Sequence, residues 1–526
     1  MQELAMPNVR AALAVMPCAA PDWLAHFDAA CTLQAQGQLP EARVALAHIV
    51  HTAPAGQVVL APAWANLGMV LDELHEPDAA RAAYEHAIAL DATLYAPHLH
   101  LGQWWMDRRE PGATAQAEYW LQQAARLQPH EPGVWSALGG LLTCMRRDAD
   151  AEACLRHALQ LDAEHVGARF NMSYLFLRQG RWAEGWACLE MRPLARSLAA
   201  SLPWPRWAGE PLAGRRLLIV NDAGHGDLIQ FWRWRQRLHA LGAREVAWMV
   251  QPALISLLQA QAGVGPVWAL DGDVPLTGPA APDVWAPLLS LPWLCGDDGD
   301  WPDALPYLQA PEPLAMPDAA TDVARPFTIG LAWHGNPGHE NDADRSLPGV
   351  DALAPLLHAV QAIEAERGVA VRVLNLQDDG HVGPAITQVD PRDRIDLQQD
   401  PALKQAWSRR LQAQPRLDGF GQVAQALQGI DLLITVDTAY AHLAAAMGRR
   451  VWVVLPHWKT DWRWLEGRDD SPWYPEVMRL FRQVTRGDWA GVIAEVAQAL
   501  AAEPATLRPQ HGATAPPHVP PPSLAS

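Results

Sequence analysis

Hydrophobic positions along this chain follow two periods, and the change between them divides it. From residue 22 to about 192, small and apolar residues recur in paired helical stripes at an interval of about 34 residues. One unit runs Trp64, Leu67, Gly68, then Ala80, Tyr84, Ala87. Another runs Trp135, Leu138, Gly139, then Ala151, Leu155, Ala158. Between them, Leu101 and Gly102 pair with Ala117, Leu121, Ala124 and Pro129, with a short insertion at 110–112. Gly37, Ala42, Leu46 and Pro54 mark an earlier unit, and Asn171, Gly180, Gly185 and Leu189 a last one. Small residues let two antiparallel helices approach closely, and large ones fill the groove between neighbouring hairpins. The pattern predicts an all-α solenoid of about five hairpins. Such arrays present a concave face to a protein or peptide; packing of the array on the following domain is the alternative.

Residues 193–214 carry Pro193, Pro203, Pro205 and Pro211 with Trp204 and Trp207, and read as a semi-rigid linker. Beyond them the pattern becomes continuous apolar runs, often β-branched. Runs at 217–220, 245–250, 265–269 and 283–286 predict buried strands, with helical stripes at 228–241 and 254–261. A Pro- and Ala-rich connector at 302–326 precedes a second series. Strands are expected at 327–333, 371–376, 432–436 and 451–456, and helices at 353–366, 421–429 and 439–447. This alternation predicts two doubly wound α/β domains, 215–312 and 325–500. Residues 1–21 are expected to be a disordered leader and 501–526 a disordered tail.

Composition changes the picture in three ways. The 526 residues exceed one ordinary core. The formal charge of -18 argues against nucleic acid or an anionic membrane as a broad partner, though not against a small anion held by N–H groups and a few Arg. Cys18, Cys31, Cys144, Cys154, Cys188 and Cys295 show no metal spacing, and read as reduced thiols of a cytoplasmic protein. No apolar run reaches transmembrane length. The 25 Trp, several in close pairs such as Trp232 and Trp234 or Trp462 and Trp464, read first as packing. Trp also stacks on sugar and base rings.

Candidate chemistry lies where strands end, the place where open α/β sheets bind ligands. The turn after 217–220 is Asn221-Asp-Ala-Gly-His-Gly-Asp227. It is neither Gly-x-Gly-x-x-Gly nor a Walker A loop, which excludes a typical NAD domain and a P-loop. Gly224, His225 and Gly226 would let a substrate approach the strand end closely. Asp227, at the start of the following helical stripe, reads as a helix cap. After 327–333, Trp333 and His334-Gly-Asn-Pro-Gly338 lead towards Arg345; Asn336 reads as a turn residue or a ligand contact. After 432–436, Asp437 and Thr438 precede an Ala-rich helix ended by Gly448. Thr438 is expected to cap that helix, whose N–H groups and dipole suit a phosphate. Cap and ligand site are equally good readings of the pair alone. His442, one turn on, faces a cleft or packs in the core.

Taken together, these stretches resemble known families. The 34-residue units look like tetratricopeptide repeats. The two α/β domains resemble the GT-B architecture, giving an α + α/β chain: a tetratricopeptide solenoid followed by a pair of Rossmann-like domains. Val436-Asp-Thr-Ala-x-Ala-His-Leu-Ala-Ala-Ala-Met-Gly448 resembles the nucleotide-sugar motif of bacterial heptosyltransferases, and Gly226-Asp227 their first turn. Residues 328–337, Asp461-Trp-Arg-Trp-Leu465 and Ser471-Pro-Trp-Tyr474 resemble a bacterial group that fuses such repeats to such a domain. The first turn departs from that group, which has Gln-Gly-Leu-Gly-Asp where this chain has Ala-Gly-His-Gly-Asp after Asp222. A donor-side Lys has no match, and Arg345 is the nearest cation.

The resemblance implies a metal-independent glycosyltransferase with no cofactor, using a nucleotide sugar and a glycan or protein acceptor. Asp227 would be the base, with Gly224, His225 and Gly226 on the acceptor side. Trp333, Asn336, Arg345, Asp437, Thr438, Ala439 and His442 would hold the donor. The competing reading is a non-catalytic repeat scaffold with a degenerate GT-B module.

Overall fold

A computed structural model describes residues 22–272, 277–278, 280–299, 305–312, 326–376, 411–413 and 417–503. The expected leader, most of the expected tail and most of the 302–326 connector lie outside the described residues. The chain divides into two compact units. One holds residues up to 143 with 147–168; the other holds 144–146 with 169 onward.

The repeats are helices α1 (Trp23–Ala35), α2 (Leu39–Thr52), α3 (Leu60–Glu73), α4 (Pro77–Leu90), α5 (Tyr95–Met106), α6 (Ala113–Leu127), α7 (Pro132–Cys144), α8 (Asp148–Leu161), α9 (Val166–Arg178) and α10 (Trp182–Leu189). One device recurs in the hairpins. A Cβ on Gly68 would lie 2.4 Å from the Tyr84 ring; on Gly102 or Gly139 it would lie 2.5 or 2.6 Å from Leu121 or Leu155. Gly185 meets Leu177 in the same way, at 2.6 Å. Only glycine admits the facing side chain, so the spacing seen in sequence is a record of helix contact.

The fifth hairpin, counted with the repeats on sequence, packs elsewhere from residue 169 on. Leu177, Trp186 and Leu189 join the α/β core of the second unit, beside Trp207, Phe231, Trp462 and Trp473. The 193–214 stretch read as a linker holds a helix, α11 (Pro193–Ser201), and Trp207 is fully buried.

The second unit contains two sheets. The first orders its strands β3-β2-β1-β4, with β1 (Arg216–Val220), β2 (Glu245–Val250), β3 (Val267–Ala269) and β4 (Val284–Pro287), all parallel. The second has β5 (Phe327–Ala332), β6 (Val371–Asn375), β7 (Leu411–Ala413), β8 (Leu432–Val436), β9 (Val451–Leu455) and β10 (Met478–Arg482). Its order is β10-β9-β8-β5-β6-β7, again all parallel. Within this sheet the order reverses between β5 and β8, so a crevice opens at their carboxyl ends. In the first sheet the reversal falls at β1. Helices α13 (Ala354–Arg367), α14 (Phe420–Gln428), α15 (Ala439–Ala446) and α16 (Trp489–Ala502) cover the second sheet. β7, β10 and α16 have no counterpart in the sequence reading.

The expected single helix at 228–241 is broken. α12 (His225–Phe231) gives way to a tight turn at Trp232–Trp234 before a short helix at Arg235–Ala240. Trp232, Arg233 and Trp234 are all buried, at 1%, 3% and 0% exposure. A one-sided amphipathic helix cannot bury three successive residues, and tightening the turn resolves this.

Candidate active site

The site is assembled in the second unit from turns at the ends of β1, β5 and β8. The β1 turn enters α12 at Gly224. Asp227 stands three residues into the helix start, and its Oδ2 accepts the Gly224 N–H at 2.7 Å. Gly226 packs against α15: a Cβ there would lie 2.9 Å from the His442 ring and 3.5 Å from the Ala439 Cα. The structure therefore brings Gly224, His225, Gly226 and Asp227 together with Ala439 and His442. Asp437 and Thr438 lead directly into the same helix.

Asp227 is not solitary. Its Oδ1 is paired with Arg463 from the tight turn at Trp462–Trp464. That guanidinium also donates to both Asp461 oxygens at 2.9 Å and to Gln230 Oε1 at 2.5 Å. Arg463 is 7% exposed. Burial raises the Asp227 carboxyl above its ordinary range, with Arg463 opposing the rise and Asp461 adding to it. Tyr174 of α9 joins this cluster; burial raises its phenol, and the charges of Asp461, Arg463 and Asp227 act on it.

Around β8 the chemistry differs. Thr438 is the N-cap of α15 by position, with extended backbone, but its hydroxyl makes no cap bond and lies 3.1 Å from the Thr435 hydroxyl. The expected side-chain cap is thus absent. Gly448 ends the helix at φ +72°, as its place in the sequence suggested. The Asp437 carboxyl is pushed up to about 6, first by burial and then by Asp461, against Arg345. Of the two placements open to His442, cleft or core, the resemblance favoured the cleft. The residue is instead 5% exposed, bonded through Nδ1 to Tyr474 Oη at 2.9 Å and stacked on Trp464. Burial, then Arg463 and Arg233, push its pKa well down, so the ring is neutral.

The β5 turn divides its residues. Trp333 is 7% exposed and belongs to the core beneath the sheet. Asn336 is exposed, and its side chain accepts the Gly338 N–H at 2.9 Å, closing a local turn. The Arg345 guanidinium lies over Gly335, where a Cβ would be 2.7 Å from Nη2. Its charge is felt at Asp437, which places it beside the β8 turn. His225 rests against Phe420 of α14, ring centres 5.1 Å apart, and burial lowers its pKa. Among the described residues no group of three His, Cys, Asp or Glu is arranged to hold a metal ion. The five described cysteines form no disulfide with one another.

Sequence reasoning assigned no role to Arg463, Asp461, Gln230, Trp464 or Tyr474. The available signal was a charged pair set inside Trp-rich stretches, Asp461-Trp-Arg-Trp464 and Pro472-Trp-Tyr474. A buried-looking Arg next to Asp asks for a second carboxylate.

With this geometry in place, comparison with known proteins is informative. The glycosyltransferase family 9 (heptosyltransferase) model matches residues 408–454, which contain β8, the Asp437–Thr438 turn and α15. A tetratricopeptide repeat model matches residues 61–94. The chain joins tetratricopeptide repeats to a glycosyltransferase family 9 segment.

The chain is 25% identical over 372 residues to protein FlbA of Caulobacter vibrioides, covering 67% of this chain and 58% of FlbA. It is 40% identical over 116 residues to cellulose synthase operon protein C of Xanthomonas axonopodis pv. citri, covering 22% of this chain and 8% of that protein. It therefore spans less than two thirds of either relative. Among solved structures, Pseudomonas aeruginosa PilF is 20% identical, with a TM-score of 0.28 over 32% of this chain and 74% of that one. A thermophilic tetratricopeptide protein of Thermus thermophilus is 19% identical, with a TM-score of 0.30 over 34% and 95%. No helix of the described residues is long and apolar enough to cross a membrane.

Proposed function

We propose that the chain is a GT-B glycosyltransferase that moves a sugar from a nucleotide sugar to a glycan or protein acceptor, without a metal ion. One observation carries the reading: Gly226 lies against Ala439 and His442, so the helices that follow β1 and β8 begin at one place. A carboxylate and a helix start thus face the same crevice. The acceptor hydroxyl loses its proton to Asp227, which must exchange its contact with Arg463 for the hydroxyl. The leaving diphosphate lies at the start of α15, where backbone N–H groups and the helix dipole favour an anion, with Arg345 as the side-chain cation. Asp437, raised to about 6, still carries most of its charge near neutral pH, and Arg345 opposes that charge. The residues themselves supply the charge that a metal would otherwise bring. The repeats serve as a platform for the acceptor or a protein partner, and the chain works in the cytoplasm.

A second reading draws on the same cluster. Both Asp227 oxygens are bonded, one to Arg463 and one to Gly224. A carboxylate held so would suit a binding module that has lost turnover. A panel of UDP-, GDP- and ADP-sugars separates the two. Binding at about 100 times the dissociation constant stabilises by about 2.7 kcal/mol, a thermal shift of several degrees. The enzyme reading expects such a shift together with release of the nucleoside diphosphate. A shift without release supports the binding module, and no shift with any donor sinks both.

A further inference from the structure

The turn that carries Asp227 is held from outside its own sheet. Asp222, its second residue, directly precedes the Ala223-Gly-His-Gly-Asp227 stretch, and its side chain is fully buried. It pairs with Arg192, which follows α10 of the fifth hairpin and is 6% exposed in its side chain. Arg192 Nε donates to Asp222 Oδ2 at 2.7 Å, and Nη2 approaches the same carboxylate at 2.5 Å. The other Asp222 oxygen accepts the Leu289 N–H at 3.1 Å. The guanidinium has further anchors in the Leu189 carbonyl at 3.1 Å and the Ser290 hydroxyl at 3.0 Å. Asp222 therefore offers no oxygen to a substrate.

Removal of two charges from water makes a buried ion pair no better for stability than well-packed apolar side chains of the same volume. What the pair adds is direction, because Nε and Nη2 of Arg192 converge on Asp222 Oδ2 while the Leu289 N–H holds the other oxygen. Here the direction runs from the fifth hairpin to the second residue after β1, five positions before Asp227. We propose that Arg192 is a positioning residue: through Asp222 it fixes the 221–227 turn and so sets where Asp227 meets the acceptor hydroxyl. The inference rests on the reading of Asp227 as base. It makes the end of the repeat array part of the site's framework rather than part of the partner platform.

The test uses the full chain and three variants, Arg192→Met, Asp222→Leu and the two combined. Arg192→Met leaves the buried Asp222 without its cation, and Asp222→Leu leaves Arg192 with Glu190 at 3.3 Å as its remaining carboxylate, so both Tm and turnover should fall, more in the first variant. The double variant should regain most of the Tm. Its turnover should stay at least about tenfold low, with donor affinity within about twofold of the parent, as a geometric loss predicts. Amide hydrogen exchange over 221–231 should be faster by about tenfold or more. Wild-type turnover and exchange in a double variant of wild-type Tm would overturn the proposal. If the double variant does not fold, Arg192→Lys, which keeps the charge but not the fork, is read instead. Faster exchange over 221–231 supports the proposal and unchanged exchange overturns it. A parent protein with no turnover on any donor removes the role of Asp227, while the exchange result still decides whether Arg192 holds the turn.

Discussion

The turn after β1 and the turn after β8 both lead a parallel strand into a helix, yet they are held differently. The first is fixed by charges that arrive from far along the chain. Asp222 meets Arg192, and Asp227 meets Arg463. The second is fixed by its neighbours: Thr438 sits by Thr435, and Gly448 closes the helix. One turn has its carboxylates engaged, while the other presents a helix start with no side-chain cap. The difference suits two jobs, since a proton acceptor needs exact placement and a diphosphate needs open N–H groups.

The comparison can be broken most directly at Asp227. Asp227→Asn keeps the shape but cannot accept a proton, so turnover should fall by about two to four orders of magnitude with donor affinity barely changed. The ion pair with Arg463 adds a stability loss of about 2 kcal/mol, larger than a cap alone would give. Steady-state kinetics and a denaturant melt read both; unchanged turnover would make the residue structural.

Thr438→Pro attacks the other turn. Proline holds φ near -65°, far from the extended φ of -140° at Thr438. Donor binding should weaken by about tenfold or more, measured by calorimetry with the donor found in the panel. Normal binding would move the diphosphate elsewhere.

Gly226→Ala tests the contact between the turns. The new methyl would come within 2.9 Å of a His442 ring already stacked on Trp464, so the ring has little room to yield. A loss of about 1–3 kcal/mol is expected. Loss below about 0.5 kcal/mol would show that the two helix starts are not in firm contact.

Asp437 gives a pH test with a definite sign. Its folded pKa, about 6, lies above the ordinary value of 3.8. The native state therefore binds more protons than the unfolded one between those values, and stability falls as pH rises from about 4 to 6. Asp437→Asn should remove that slope. It should be more stable than the parent by up to about 3 kcal/mol at pH 8, and close to it at pH 4. A parallel pair of stability–pH curves would contradict the raised pKa. The smallest effect belongs to Thr438→Val, because the hydroxyl does not cap: less than about 1 kcal/mol, against the usual cost of losing an N-cap.

Local pattern made most of the architecture legible. The glycine that faces Tyr84, Leu121, Leu155 or Leu177 repeats at a readable interval, because each hairpin solves the same packing problem. Strands such as Leu432–Val436 show as apolar runs because both faces of a parallel sheet are covered. The break at Trp232–Trp234 was missed, since an amphipathic stripe cannot reveal that two faces are buried at once. The sequence left His442 between cleft and core, and its ring packs under Trp464 and Tyr474, partners brought in from beyond the next strand.

The sequence by itself determined the order of repeats and α/β modules, the strand ends that carry polar residues, and the helix start at Thr438. Those features follow from contacts within about one supersecondary unit, where spacing and composition are sufficient. Only the tertiary structure decided which charges meet. Asp227 with Arg463 and Asp222 with Arg192 are separated by 236 and 30 positions. A sequence displays charges but not their partners, because a buried pair is chosen by geometry and desolvation after the chain has folded around it.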